Sequence, residues 1–167
     1  VMLETNQPNH AYDADVVSSF RVRLSNAGET LTTLDGQTRN LHADDLLICN
    51  GSTNVGVGLA GVMGDLHSEI TEKTTTLALE SAWFSPDPIR YSAIRHGLRS
   101  EASIRFERGT DPNAWQLAAE RFVTILRETC PDITLHGGAT EVQNAFCPLP
   151  VSVDVSVNRI EALLGVH

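Results

Sequence analysis

Four glycines between residues 56 and 64, within GSTNVGVGLAGVMGD (51–65), constrain the fold more than any other feature of the chain. Glycine inside a helix costs about 1 kcal/mol relative to alanine, so this stretch is poor helix material. Its backbone either needs positive φ or lets something approach closely. Gly56, Gly58 and Gly61 spell GxGxxG behind an apolar run, and Glu80 follows at nearly the distance of the acidic residue in a dinucleotide fold. A nucleotide-binding domain is therefore one alternative. Against it, Asn50 to Val55 intervene where the first glycine should follow the strand at once. Gly64 and Thr74–Thr76 occupy what should be the phosphate-binding helix, and no second βαβ unit follows. A backbone that needs positive φ or close approach by a ligand is the better reading, and a purely structural glycine loop stays open.

The flanking segments read as a mixture of strand and helix. Val1–Glu4 (VMLE) is strand-like and opens on valine rather than methionine, as a piece cut from a longer protein would. Phe20–Leu24 alternates apolar and basic residues, as a half-buried strand does. Leu31–Leu34 and Arg39–Leu41 flank Asp35-Gly36, a pair suited to the positive φ angles of a hairpin turn. Leu46–Cys49 is a short apolar strand. Leu77–Leu79 is another, ended by Glu80, whose carboxylate is either capped by neighbouring N–H groups or placed in a pocket. Ser85-Pro86 and Asp111-Pro112 each offer a helix N-cap followed by proline at the first position. The first helix stops at Gly97. The second carries Trp115, Ala118, Ala119, Phe122, Val123 and Leu126 at helical spacing, a core face that ends by Pro131. Ile133–Leu135 and the alternating Val151, Val153, Val155 and Val157 read as strands. Asn144–Pro150 reads as a linker, and Asn158–Leu164 as a short helix stopped by Gly165.

Between the two long helices lies RHGLRSEASIRFERGTDP (95–112), dense in arginine beside the small residues Ser100, Ala102 and Ser103. It suits either a solvated loop or a polar site. A net charge of −9 argues against a domain that grips nucleic acid alone. Arg90, Arg95, Arg99, Arg105 and Arg108 nevertheless concentrate the positive charge locally. His10, just after Pro8, is either a hydrogen-bonded structural residue or a donor and acceptor able to work near neutral pH. Cys49, Cys130 and Cys147 form no CxxC pair, so no metal knuckle or dithiol site is expected, and Cys49 reads as a small buried hydrophobe. A reducing, cytoplasmic setting fits this usage. No apolar run approaches the roughly 20 residues that span a membrane, so no membrane partner is expected.

Taken together, QPNHAYD (7–13), TLDG (33–36), DLLIC (45–49), LAGVMG (59–64), LALESAWFSPDPIR (77–90) and RHGLRSEASIRFERGTDP (95–112) resemble the B3/B4 region of bacterial phenylalanyl-tRNA synthetase beta chains, in order and spacing. The tail VSVDVSVNRIEALLG is similar to the opening of the following module, B5. The resemblance implies an α+β domain in three layers, with a β-sandwich-like core and flanking helices, over residues 1–147. Residues 148–167 are then a linker and the start of the next module.

The resemblance also implies an activity, hydrolysis of tyrosine wrongly esterified to tRNA(Phe). Glu80 matches the glutamate that accepts the tyrosine hydroxyl. His10 matches the histidine near the scissile ester, where it orients substrate or water, and Ser100 joins it in the implied catalytic set. Gly64 and Ala102 match small pocket-lining residues, and Arg95, Arg99 and Arg105 are candidate tRNA contacts. Ser100 stands where the family commonly has threonine, and Asp65 replaces its usual second glycine. Implied partners are tRNA(Phe) with its aminoacylated 3′ end and a synthetase alpha chain in an alpha2beta2 heterotetramer. No cofactor is implied for this region; ATP and magnesium belong to the alpha chain. The alternative within the family is a structural, tRNA-presenting module with weak or lost editing.

Overall fold

The computed structural model describes residues 1–137, 139–143, 148 and 151–165. Its strands are β1 (Asn9–Asp13), β2 (Phe20–Leu24), β3 (Thr30–Thr32), β4 (Thr38–Asn40), β5 (Leu46–Asn50), β6 (Gly56–Leu59), β7 (Met63–Gly64) and β8 (Leu77–Ser81). Its helices are α1 (Met2–Thr5), α2 (Pro86–Arg95), α3 (Glu101–Phe106), α4 (Trp115–Thr129) and α5 (Val157–Leu164), with a 3-10 turn at Leu66–Ser68. Among the described residues every pairing of these strands is antiparallel, and the fold is α+β.

Apolar continuity makes β5 a central strand. It is buried from Leu47 to Asn50 and lies between β2 and β6 in the sheet ordered β2-β5-β6-β7. The hairpin of β3 and β4 turns at Asp35-Gly36, where Gly36 takes φ 76°. β1 and β8 form a separate two-stranded ribbon. Leu47, Ile48, Val57, Leu59 and Val62 share one core with Ile89 and Ala93 of α2 and Phe106 of α3. Gly61 turns β6 toward β7 with φ 66°, and a Cβ there would meet Ile89, Phe84 and Phe106 at 3.1 Å. The glycine therefore serves both the left-handed turn and the packing of α2 and α3 onto it.

The chain divides into two units, Val1–Gly137 and Gly138–His167. In the second, α5 runs from Val157 to Leu164 with Ser156 as N-cap and Gly165 in the left-handed cap, as its sequence indicates. No helix among the described residues is long and apolar enough to cross a membrane.

Several expectations are corrected. Val1–Glu4 forms no strand: the N–H groups of Glu4 and Thr5 both reach the Val1 carbonyl and close the single turn α1. Val151–Ser156 and Ile133–Leu135 are not strands either. Among the described residues no neighbouring strand supplies a ladder for them, and alternation without a partner makes no sheet. β2 is not half-buried in the expected sense, since Val22 and Leu24 are exposed and Arg23 is the covered residue. As an edge strand it turns Arg23 onto Glu29 at 2.7 Å.

α4 starts at Trp115, not at Pro112, because the Asp111 carboxylate accepts from the Asn113 N–H at 2.8 Å and holds a turn there first. Its apolar face buries only Ala118 fully, because α4 packs on β8 and α1 rather than over the larger sheet. Ser85 does sit at the N-cap of α2, with Pro86 at N1, but its side chain makes no capping bond. The arginine-rich stretch is no loop throughout, since α3 lies inside it. The expected linker Asn144–Pro150, with Cys147, lies outside the described residues except for Pro148. Cys49 is buried as read.

Candidate functional site

The β1–β8 ribbon sets His10 directly opposite Glu80 in register. Alternation puts Tyr12 on the same face of β1 as His10. Facing them is the β6–β7 hairpin, and α3 closes a third side. The resulting cleft is lined by His10, Tyr12, Gly64, Glu80, Ala102 and Phe106, together with the Gly58–Met63 segment. Four of the five residues expected in the catalytic and substrate-binding set therefore converge: His10, Glu80, Gly64 and Ala102.

Gly64 is required for this convergence. A Cβ at that position would lie 2.5 Å from Cε1 and 2.7 Å from Nε2 of His10. The imidazole rests on bare backbone, and on its other side its ring centroid is 4.3 Å from that of Tyr12. Gly64→Ala is expected to push the imidazole out of place at an overpacking cost of about 1–3 kcal/mol. The check is a pair of measurements: His10 ring resonances displaced in NMR, with a melting temperature lowered by only about 3–10 °C.

Burial lowers the affinity of His10 for a proton, so the ring is neutral at pH 7 and can accept one. Burial pushes the Glu80 carboxyl up to about 7, and the hydrogen bond from Tyr12 pulls in the opposite direction. That bond runs from the Tyr12 hydroxyl to Oε2 of Glu80 at 2.8 Å. Burial, then the Glu80 charge, raise the Tyr12 phenol far above its ordinary value, so it remains a donor. Two titratable groups whose proton affinities are displaced by burial, both at the wall of one cleft, make this cleft the candidate functional site.

Ser100 lies beside the cleft but not in its lining. Its hydroxyl donates to the Val62 carbonyl at 2.6 Å and accepts from the Ser103 N–H at 3.0 Å, forming a capping box at the start of α3. It ties α3 to the glycine turn and so places Ala102. Asp65 likewise turns inward and accepts from the His67 N–H at 2.8 Å, capping the 3-10 turn. Arg95 is bound to Asp45 and Arg105 to Glu101. Arg99 is exposed and makes no ion pair among the described residues.

The glycine motif of a dinucleotide fold is absent in three dimensions. Gly56 and Gly58 lie inside β6, Gly61 turns into β7, and no helix begins there. Sequence reading overlooked Tyr12, although its place two residues after His10 on one strand signals a shared face. It also overlooked Asn9, whose amide nitrogen and oxygen are both buried without a partner among the described residues. The Asp45 cluster joining β5 to α2 was missed because Asp45 lies 47 or more positions from Ser92, Arg95 and His96.

The B3/4 domain family matches residues 1–131 of the chain. The chain is similar to the phenylalanine–tRNA ligase beta subunit of Geobacter sulfurreducens, at 44% identity over all of this chain and 21% of the relative. The same-named protein of Leifsonia xyli is 52% identical over 77% of this chain and 15% of its own length. That of Halalkalibacterium halodurans is 42% identical over all of this chain and 20% of its own. The chain thus spans about a fifth of the length of the curated relatives it matches.

Proposed function

The chain belongs to the B3/4 domain family, and we propose that it serves as the editing module of a phenylalanine–tRNA ligase beta subunit, hydrolysing tyrosine wrongly esterified to tRNA(Phe). The supporting observation is the facing pair His10 and Glu80, set in a cleft whose opposite wall is kept free of side chains at Gly64. A synthetic pocket shaped for phenylalanine rejects a ring bearing one added hydroxyl by only about 100-fold. A second pocket that bonds the hydroxyl reverses the preference, because phenylalanine leaves its polar groups unpaired at about 1–3 kcal/mol each.

In this reading Glu80 accepts the tyrosine hydroxyl, and Ala102 leaves room for the substrate. A water oxygen attacks the ester carbonyl carbon. The bond from that carbon to the ribose oxygen breaks, and the leaving oxygen takes up a proton, releasing tyrosine and tRNA. Neutral His10 orients the water or the ester and can accept a proton from the water. Backbone N–H groups of the glycine turn are the proposed donors to the developing oxyanion. Ser100 acts here by holding α3 to that turn. Arg99 is the proposed phosphate contact, since Arg95 and Arg105 are already paired.

The same proposal extends to the rest of the chain and to its assembly. Residues 1–147 are the editing domain and 148–167 lead into the next module. The partners are tRNA(Phe) and an alpha chain, in an alpha2beta2 ligase of the cytoplasm. ATP and magnesium serve the alpha chain, and none of the residues above is asked to hold them.

The reading is tested by deacylation of Tyr-tRNA(Phe) and Phe-tRNA(Phe) by the whole ligase carrying this segment, from about pH 6 to about pH 8.5. Glu80 is neutral below its value of about 7 and ionised above it. A carboxylate accepts the phenol hydrogen more strongly than a carboxylic acid does. The preference for the tyrosyl ester is therefore expected to rise with pH through about 7. Equal rates on both esters at every pH would remove the editing assignment. They would favour the second reading, a tRNA-presenting module with weak hydrolysis, which the committed hydroxyl of Ser100 already supports.

A further inference from the structure

Tyr12 carries the same functional group as the substrate that Glu80 is proposed to read. Its phenol donates to Oε2 of Glu80 at 2.8 Å, while Oε1 makes no hydrogen bond among the described residues. The donor cannot readily leave. Tyr12 is almost fully buried, and its ring is held between His10 at 4.3 Å and Phe20 at 5.3 Å. The backbone opposite makes space for its hydroxyl, since a Cβ on Gly58 would lie 3.2 Å from it.

We propose that Tyr12 is the positioning residue for specificity: its phenol holds one oxygen of Glu80, so that the carboxyl turns its other oxygen to the cleft as the single acceptor for a substrate hydroxyl. This deepens, and rests on, the editing reading of the same site. A fixed internal phenol does two things. It orients the carboxyl before substrate arrives, which removes an ordering cost from binding. It also stabilises the ionised form against burial, so that Glu80 can accept near neutral pH. Without this bond the same burial would keep the group a neutral acid over more of the physiological range. The titratable groups that bear on the pair are few. His10 faces it from β1, the Asp65 charge bears on Tyr12, and the buried Cys49 thiol nearby is held in its uncharged form.

Tyr12→Phe keeps the ring and removes only the hydroxyl. Two measurements on it separate this proposal from the reading on which it rests. The first is the midpoint of Glu80 ionisation, followed by carboxylate infrared or 13C NMR in the protein selectively labelled at glutamate, with Glu80→Gln to assign the signal. The second is the ratio of Tyr-tRNA(Phe) to Phe-tRNA(Phe) deacylation by the whole ligase across the same pH range.

Tyr12→Phe is expected to raise the Glu80 midpoint by about one pH unit and to move the rise in tyrosyl preference upward by the same amount. Discrimination lost at neutral pH then returns in alkali, which a merely misfolded site would not do. An unchanged Glu80 midpoint in a folded Tyr12→Phe protein overturns the role given to Tyr12, whatever the ligase does. A wild-type ligase without tyrosyl preference at any pH removes the editing reading instead, and with it the specificity role. A lowered midpoint would reverse the sign of the effect and equally overturn the proposal.

Discussion

Glu80→Ala in the whole ligase is expected to lower the preference for Tyr-tRNA(Phe) over Phe-tRNA(Phe) by about 10- to 100-fold, leaving Phe-tRNA(Phe) hydrolysis near its wild-type rate. A hydrogen bond to a charged group is worth about 1.5–3 kcal/mol, and each 1.4 kcal/mol is a factor of ten. The effect should fall mainly on the tyrosyl ester, because Glu80 meets the substrate through the hydroxyl that phenylalanine lacks. Deacylation of the two esters in parallel checks it. An equal fall on both would mean that Glu80 supports the cleft as a whole and does not read the hydroxyl. The fold should tolerate the change, since removing Glu80 frees only the Tyr12 hydroxyl, which water can reach once the carboxyl is gone.

Asp45→Ala is expected to be the most destabilising single substitution among those considered, at about 3–5 kcal/mol. Asp45 is fully buried at the start of β5 and is met from α2 and its C-terminus by Ser92, Arg95 and His96, the last at 2.6 Å. The His42 N–H adds a fourth donor at 2.8 Å. Cutting the carboxylate leaves donors buried without a partner on both sides of the joint. At about 2–4 °C per kcal/mol for a chain of this size, the melting temperature should fall by roughly ten degrees.

The acid branch of the stability curve offers a second check. Burial alone would raise the Asp45 carboxyl, but the bonds from Ser92, His42 and His96 hold it below the ordinary 3.8. A depressed carboxyl stabilises the fold above its unfolded value, and that contribution is lost as pH falls through the folded value. Wild-type stability should therefore drop below about pH 4 in part through Asp45. The same drop should be shallower in Asp45→Ala, as denaturant melts at a series of acid pH values will show.

Much of the site could be anticipated from residue order because its pieces sit in short contiguous stretches. His10 lies in QPNHAYD, Gly64 in LAGVMG, Glu80 in LALES and Ala102 in SEASIRF, each motif carrying its own local structure. The resemblance joined these stretches into one site, and the B3/4 family match bears out the identification. Ser100 shows where that inheritance stops. Its position was matched, but whether its hydroxyl is free depended on a carbonyl 38 residues away. The arginines make the same point. Three were grouped by charge and proximity, and two of them turned out to be held by carboxylates, one of them 50 positions distant.

The sequence by itself determined the elements whose signals are local. The apolar run of β5, the Asp-Gly hairpin, the proline-started α2 and the Gly165 stop of α5 all formed where residue spacing and backbone preference placed them. Local preference also misled at Val1–Glu4 and Val151–Val157, because a strand is completed by its neighbour and neither segment has one among the described residues. Tertiary structure alone decided what each polar group faces. Only the β1–β8 register sets His10 opposite Glu80 and gives one Glu80 oxygen to Tyr12. Only the packing of α2 on β5 buries Asp45. The reason is physical: backbone preference is settled over a few residues, whereas burial, hydrogen-bond partners and the proton affinities they set depend on groups brought together from distant parts of the chain.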